Sequence, residues 1–242
     1  MEFGLTEKLR KKIKIDTLPE AAEQEPAFCW EVNFDIAFRK LILFIVNASS
    51  RFAVIAYGIT PGELKKDLPG IAEGLIRQAM RDCIGLSEPA LDAYFAAAGE
   101  ARLTKTHGKK PVGNMMRLMM DAPCWRAPVY TDIMYQDELT DIANHEIFKD
   151  GPRDGDYRVV MEKAVDDLMR LGIISPEKGN MPRGAGYEEL KKAVVELQLG
   201  DGPKAEKADV LMSAVNESRW KHIISKEETE CLLKRLNVLR SE

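Results

Sequence analysis

The sequence predicts an α+β fold, an antiparallel β-meander packed with helices on one face and followed by a mainly α-helical carboxy-terminal region. Three observations predict it. Residues 28–57 read as strands, the apolar period becomes helical after Thr60-Pro61-Gly62-Glu63, and beyond Pro128 the pattern is mostly helical. Charge changes sign at the same place. Residues 101–128 hold six basic side chains against one acid, and residues 129–170 hold five against eleven. The expected division is an α+β domain over 1–124 and a mainly helical region over 129–242.

Each element has its own signal. Met1, Phe3 and Leu5 alternate as in a strand, and Thr6 then caps a short charged helix, EKLRKK. Trp30, Val32, Phe34 and Ile36 form the apolar face of a second strand. Its other face, Glu31, Asn33 and Asp35, is polar, so that strand is expected to be half-buried. The apolar runs at 41–47 and 52–57, joined by Ala48-Ser49-Ser50, complete a three-stranded meander. In TPGE, Thr60 takes the N-cap, Pro61 the first helical position and Glu63 the capping-box position. Ile71, Leu75, Ala79, Met80 and Cys83 then recur on one face of a helix over 67–84. A further helix runs from Ser87 through Ala98, a strand over 101–106, and a helix carrying four methionines over 111–120. Downstream, 158–171 reads as a helix stopped by Gly172, and 175–186 as a Pro/Gly-rich loop. Helices are expected at 187–198, 205–216 and 226–239, the last with the capping box Ser225-x-x-Glu228.

Composition narrows the function classes. A chain of 242 residues, 45% hydrophobic and 31% charged, can bury a sizeable core, and a net charge of −4 supplies no global attraction to nucleic acid or membrane. The four cysteines form no C-x-x-C pair, and the longest apolar run is too short to span a bilayer. A reduced, cytoplasmic protein without a membrane partner is the expectation.

The stretch LTKTHGKKPVGNMM, residues 103–116, is the candidate site. It places Lys105, His107, Lys109 and Lys110 in a strand-to-helix loop, with Arg117 on the helix that follows. Free backbone N–H groups at a helix start, joined by lysines, suit a phosphate or a nucleic-acid backbone. The same residues also fit a solvated turn. It is no Walker A loop, because Asn114 follows Gly113 where lysine belongs.

Other motifs fail on chemistry. HEIFK at 145–149 has Lys149 where a zinc-protease helix needs a second histidine. The calcium-like run at 150–161 has Pro152 at its third position and Met161 at its twelfth, where a bidentate glutamate belongs. No G-x-S-x-G surrounds any serine, and Cys29 reads as a core residue. No catalytic residue, cofactor or metal is therefore expected.

The segments TEKLRKK, FCWEVNF, RKLILFIVNASSRFAVIAYGI and GEARLTKTHGKKPVGNMM occur in an order and spacing that carry a family resemblance. Residues 1–120 resemble an uncharacterised bacterial domain family, a domain of unknown function. It occurs alone or ahead of a plasmid-type open-reading-frame domain. The resemblance implies an α+β fold and no assigned reaction. Where that family reads Met-Asn after its glycine, this chain has Asn114-Met115-Met116, and residues 129–242 show no sign of the plasmid-type domain.

The functional expectation is a non-enzymatic binding or regulatory protein with a protein partner, encoded by a phage, plasmid or other mobile element. Nucleic-acid or phosphate binding through 101–128 is the second expectation. An enzyme with dispersed residues is the third.

Overall fold

The computed structural model describes residues 1–22, 24–125, 127–151, 156–174 and 186–199, with scattered helical positions between 207 and 237. The expected loop at 175–185, Arg126, residues 152–155, and most of the helices expected at 205–216 and 226–239 lie outside the described residues.

The chain divides into two compact units, Met1–Cys83 with Glu88–Ile173, and Ile84–Ser87 with Ile174–Glu242. The boundary expected at 124–128 lies inside the first unit. Leu139 and Ala143, which follow that boundary, belong to the same apolar core as Met115, Leu118 and Met119, which precede it. Burial, and not surface charge, sets the unit's extent. In the second unit Val194, Leu197, Ala208, Val215, Leu232 and Leu236 form a separate apolar cluster.

The first unit is built on a five-stranded sheet ordered β4-β3-β2-β1-β5. The strands are β1 (Glu2–Leu5), β2 (Cys29–Ala37), β3 (Lys40–Asn47), β4 (Ala53–Tyr57) and β5 (Arg102–Lys105). The meander β2-β3-β4 is antiparallel as expected, but β1 runs parallel to both β2 and β5, so the sheet is mixed. Parallel neighbours need a crossover connection. Helix α1 (Glu7–Ile13) and the following loop supply one, and α2 (Pro61–Ala79) with α3 (Glu88–Ala98) supply the other. Thr60 and Glu63 close the predicted capping box on α2. That helix kinks where Asp67 leaves helical geometry, two residues before Pro69.

Helices cover both faces of the sheet, not one. Trp30, Val32 and Ile45 lie on one face, where the Trp30 indole donates to the Tyr94 hydroxyl of α3 (3.2 Å) and meets Phe52 edge-on. On the other face Phe44, Val46 and Ile55 pack with residues of α4 (Lys109–Asp121) and α5 (Asp137–His145). The unbroken run LILFIV in β3 is what a strand buried on both sides requires. β2 is likewise buried on both faces as far as Phe34, so the half-buried expectation is corrected: Glu31 and Asn33 are interior, and Ile36 is exposed.

Beyond α5 the expected helical region contains a short hairpin, β6 (Ile147–Lys149) with β7 (Tyr157–Val159). α6 (Val160–Arg170) follows, stopped by Gly172 at φ 71° as its sequence predicts. α7 (Gly186–Leu199) occupies the next expected helix.

Trp30 is fully buried (0% exposed) and its ring nitrogen is hydrogen-bonded. Trp30→Ala is expected to cost about 3–5 kcal/mol in chemical denaturation. A cost below about 1 kcal/mol would show that the Trp30–Tyr94–Phe52 packing does not hold α3 to the sheet.

Candidate functional site

The predicted strand, loop and helix around residues 103–116 are present, but the five basic residues do not converge. Lys105 at the end of β5 is ion-paired with Glu20, while Lys109 and Lys110 are exposed in the first turn of α4. Arg117 lies two turns along α4 and pairs with Asp121 at 3.7 Å. His107 turns inward, its side chain only 8% exposed.

What His107 meets is set by the parallel register. Glu2 of β1 lies beside Cys29 of β2 and Arg102 of β5, and Gly4 lies beside Glu31 and Thr104. These positions share one face of the sheet because side chains alternate along a strand. Glu2 and Glu31 are both completely buried. The His107 ring sits between them, Nδ1 3.0 Å from Glu31 Oε1 and Nε2 3.0 Å from Glu2 Oε2. The His107 backbone N–H also donates to Glu31 Oε1 at 2.7 Å, and Arg102 Nε donates to Glu2 Oε1 at 2.9 Å. Gly4 makes room for the arrangement. A Cβ there would lie 2.7 Å from Glu31 Oε2 and 2.8 Å from His107 Nδ1.

Electrostatics follow from these contacts. Burial pushes the His107 pKa down, but hydrogen bonding and charge from Cys29 and Glu31 outweigh it and raise the group to about 10. Burial likewise disfavours the Glu2 carboxylate, yet hydrogen bonds from Arg102, the Ala22 N–H and His107 leave its pKa below the ordinary value. The imidazolium thus ties the β5–α4 loop to two buried carboxylates. Glu2, Cys29 and His107 also offer donor atoms within 4.8 Å of one another, the one such set of three among the described residues.

A second feature lies farther along α4. A cleft of about 310 Å³ is lined by Arg51 of the β3–β4 turn, Arg117 and Trp125, and by Phe148, Lys149 and Tyr157 of the β6–β7 hairpin. Asp121 and Glu146 stand in its wall. The Arg51 guanidinium lies 4.2 Å from the Phe148 ring centroid, and its Nη2 donates to the Lys149 carbonyl at 3.4 Å. Burial, followed by the positive charge of Arg117, lowers the Arg51 pKa.

Sequence reading passed over Glu2, Glu31 and Cys29 in one feature, and Arg51, Phe148 and Tyr157 in the other. An acid inside each of two otherwise core-like strands, MEFGL and CWEVNF, is the signal that could have found the first group. Nothing local marks the second, whose residues from the β3–β4 turn, α4 and the β6–β7 hairpin meet only as the lining of one cleft.

The raised His107 pKa has a stability consequence. Its unfolded value is about 6.5, so its contribution is complete below about pH 6.5 and is lost as pH rises through its folded value. His107→Gln should therefore destabilise chelator-treated protein by about 3–5 kcal/mol at pH 6. The gap should close as the pH approaches 10. A gap that stays constant over that range in paired urea titrations would rule out a buried imidazolium.

No curated protein and no solved structure matches the chain. Among the described residues, no helix is long and apolar enough to cross a membrane. A family model described as "Domain of unknown function (DUF6933)" matches residues 2–159, which takes in the whole sheet, the His107 cluster and most of the cleft lining. The chain belongs to that family.

Proposed function

We propose that this protein is a binding protein whose ligand carries a phosphate-type anion beside a planar ring, held in the cleft between α4 and the β6–β7 hairpin. The observation that carries the reading is the meeting of Arg51 and Arg117 with Trp125, Phe148 and Tyr157 around one space of about 310 Å³. That volume is at the lower end of small-molecule sites. Guanidinium groups suit bidentate contact with phosphate oxygens, and aromatic rings suit stacking on a base. Burial and then the positive charge of Arg117 lower the Arg51 pKa, and an anion between the two guanidinium groups would offset their repulsion. This keeps Arg117 from the basic 101–128 segment as a contact residue. Lys105, Lys109, Lys110 and His107 fall outside the cleft lining.

A protein partner is the second reading, favoured by the β2–β3 hairpin tip. Phe38 and Arg39 both have positive φ (45° and 67°), a conformation that two-residue hairpins usually give to Asn-Gly. Phe38 is nonetheless 71% exposed. A strained, exposed aromatic is the kind of feature that a contact surface retains at the expense of stability.

The first reading is tested by calorimetric titration with a nucleoside monophosphate, inorganic phosphate and a short single-stranded oligonucleotide at low salt. Saturable binding is expected, weakened about 10–100-fold in Arg51→Ala and in Arg117→Ala, as loss of a charged hydrogen bond implies. No binding by any of the three probes, or unchanged affinity in both variants, overturns it. For the hairpin, replacing Phe38-Arg39 by Asn-Gly should raise stability by about 1–2 kcal/mol through relief of left-handed strain. The same variant should lose cross-linking to the partner. Unchanged stability would remove the strain argument, and intact cross-linking would remove the contact.

A further inference from the structure

We propose that Glu2, Cys29 and His107 form a binding site for a zinc-class divalent ion, bound through Glu2 Oε2, Cys29 Sγ and His107 Nε2. Carboxylate, thiolate and imidazole together make a donor set suited to zinc or cobalt and poorly suited to magnesium or calcium. Tetrahedral donors around zinc lie roughly 3.3–3.7 Å apart. His107 Nε2 and Glu2 Oε2 are already 3.0 Å apart, and one donor atom from each of the three residues lies within 4.8 Å of the others. Closing on an ion thus takes side-chain shifts of about an ångström, and one coordination position is left for water.

The surroundings are those of a metal site and not merely of three compatible side chains. Glu31 Oε1 takes the other ring nitrogen of His107 at 3.0 Å, which directs Nε2 toward the ion. Arg102 and the Ala22 N–H hold Glu2 Oε1, leaving Oε2 as the ligand oxygen. Glu31 Oε2 is buried without a hydrogen-bond partner among the described residues, an unsatisfied acceptor on the carboxylate that holds the His107 ring. Glu31 Oε2 and the His107 ring fill the space that a side chain at position 4 would take, so Gly4 lets both approach the strand.

Metal binding releases to solvent whatever protons the ligands carry, and no electron moves. The contact between His107 Nε2 and Glu2 Oε2 and the metal-bound form are therefore alternative states of one cluster.

Cobalt is the probe, because its spectrum reports the ligands. The full chain, stripped by chelator and kept reduced, is titrated with Co²⁺. The expected result is one equivalent bound, with the visible bands of a four-coordinate ion and a thiolate-to-cobalt charge-transfer band in the near ultraviolet, both bleached by Zn²⁺. Cys29→Ser should abolish the charge-transfer band. Glu31→Gln should keep that band but weaken binding about 10–100-fold, as loss of an outer-shell partner does. Cys124→Ser, at an exposed thiol, should change nothing. Absence of the charge-transfer band in folded wild-type protein overturns the proposal without reference to any variant. So does a band that persists in Cys29→Ser or disappears in Cys124→Ser.

Discussion

The parallel pairing of β1 with both β2 and β5 is the constraint on which the rest of the structure depends. A meander can form from local hairpins, but a strand inserted between two parallel neighbours cannot. It needs two crossovers, and those crossovers supply the helices of one face. The same pairing decides which side chains meet. Glu2, Cys29 and Arg102 stand abreast only because three strands run in one direction with Glu2 in register with both neighbours. A slip of one residue in β1 would turn Glu2 to the opposite face and bring Phe3 toward His107.

Two-sided burial explains the polar cluster's energetics. Once α4 and α5 cover the second face, an acid in the middle of β2 cannot reach water, and an isolated carboxylate there would be very costly. The chain meets that cost locally. Glu31 accepts from the backbone and ring of His107, and Glu2 accepts from Arg102, His107 and Ala22. A buried network of this kind is weak evidence for stability and better evidence for specificity, because only one register satisfies its members. It also accounts for the glycine at position 4, where any side chain would occupy the space that the imidazole uses.

Helix α4 links the two candidate features while keeping them chemically distinct. Its leading loop carries His107 into a buried site between two carboxylates. Farther along, Arg117 lines a cleft with Arg51, Phe148 and Tyr157, with Asp121 and Glu146 in its wall. One suits a small cation held by fixed donors, and the other suits an anion with a flat body. Both lie in the first compact unit.

Much of the fold was legible in the sequence, because local rules carried it. Alternation and unbroken apolar runs marked β2, β3 and β4, Thr60 and Glu63 marked the start of α2, and Gly172 marked the end of α6. The strand-to-helix passage around His107 was equally readable. Period alone could not say how many faces of the sheet are covered, because an isolated acid in a strand reads as a solvent position until a helix is placed over it. Nor could it give β1 its direction, since parallel pairing rests on contacts across about a hundred residues, as between Glu2 and Arg102. Glu2, Cys29, Glu31 and His107 became a cluster, and Arg51 and Tyr157 became neighbours of Arg117, only through tertiary packing. The physical reason is common to both: each site joins strands or turns distant in sequence, and no spacing within one segment encodes such a meeting.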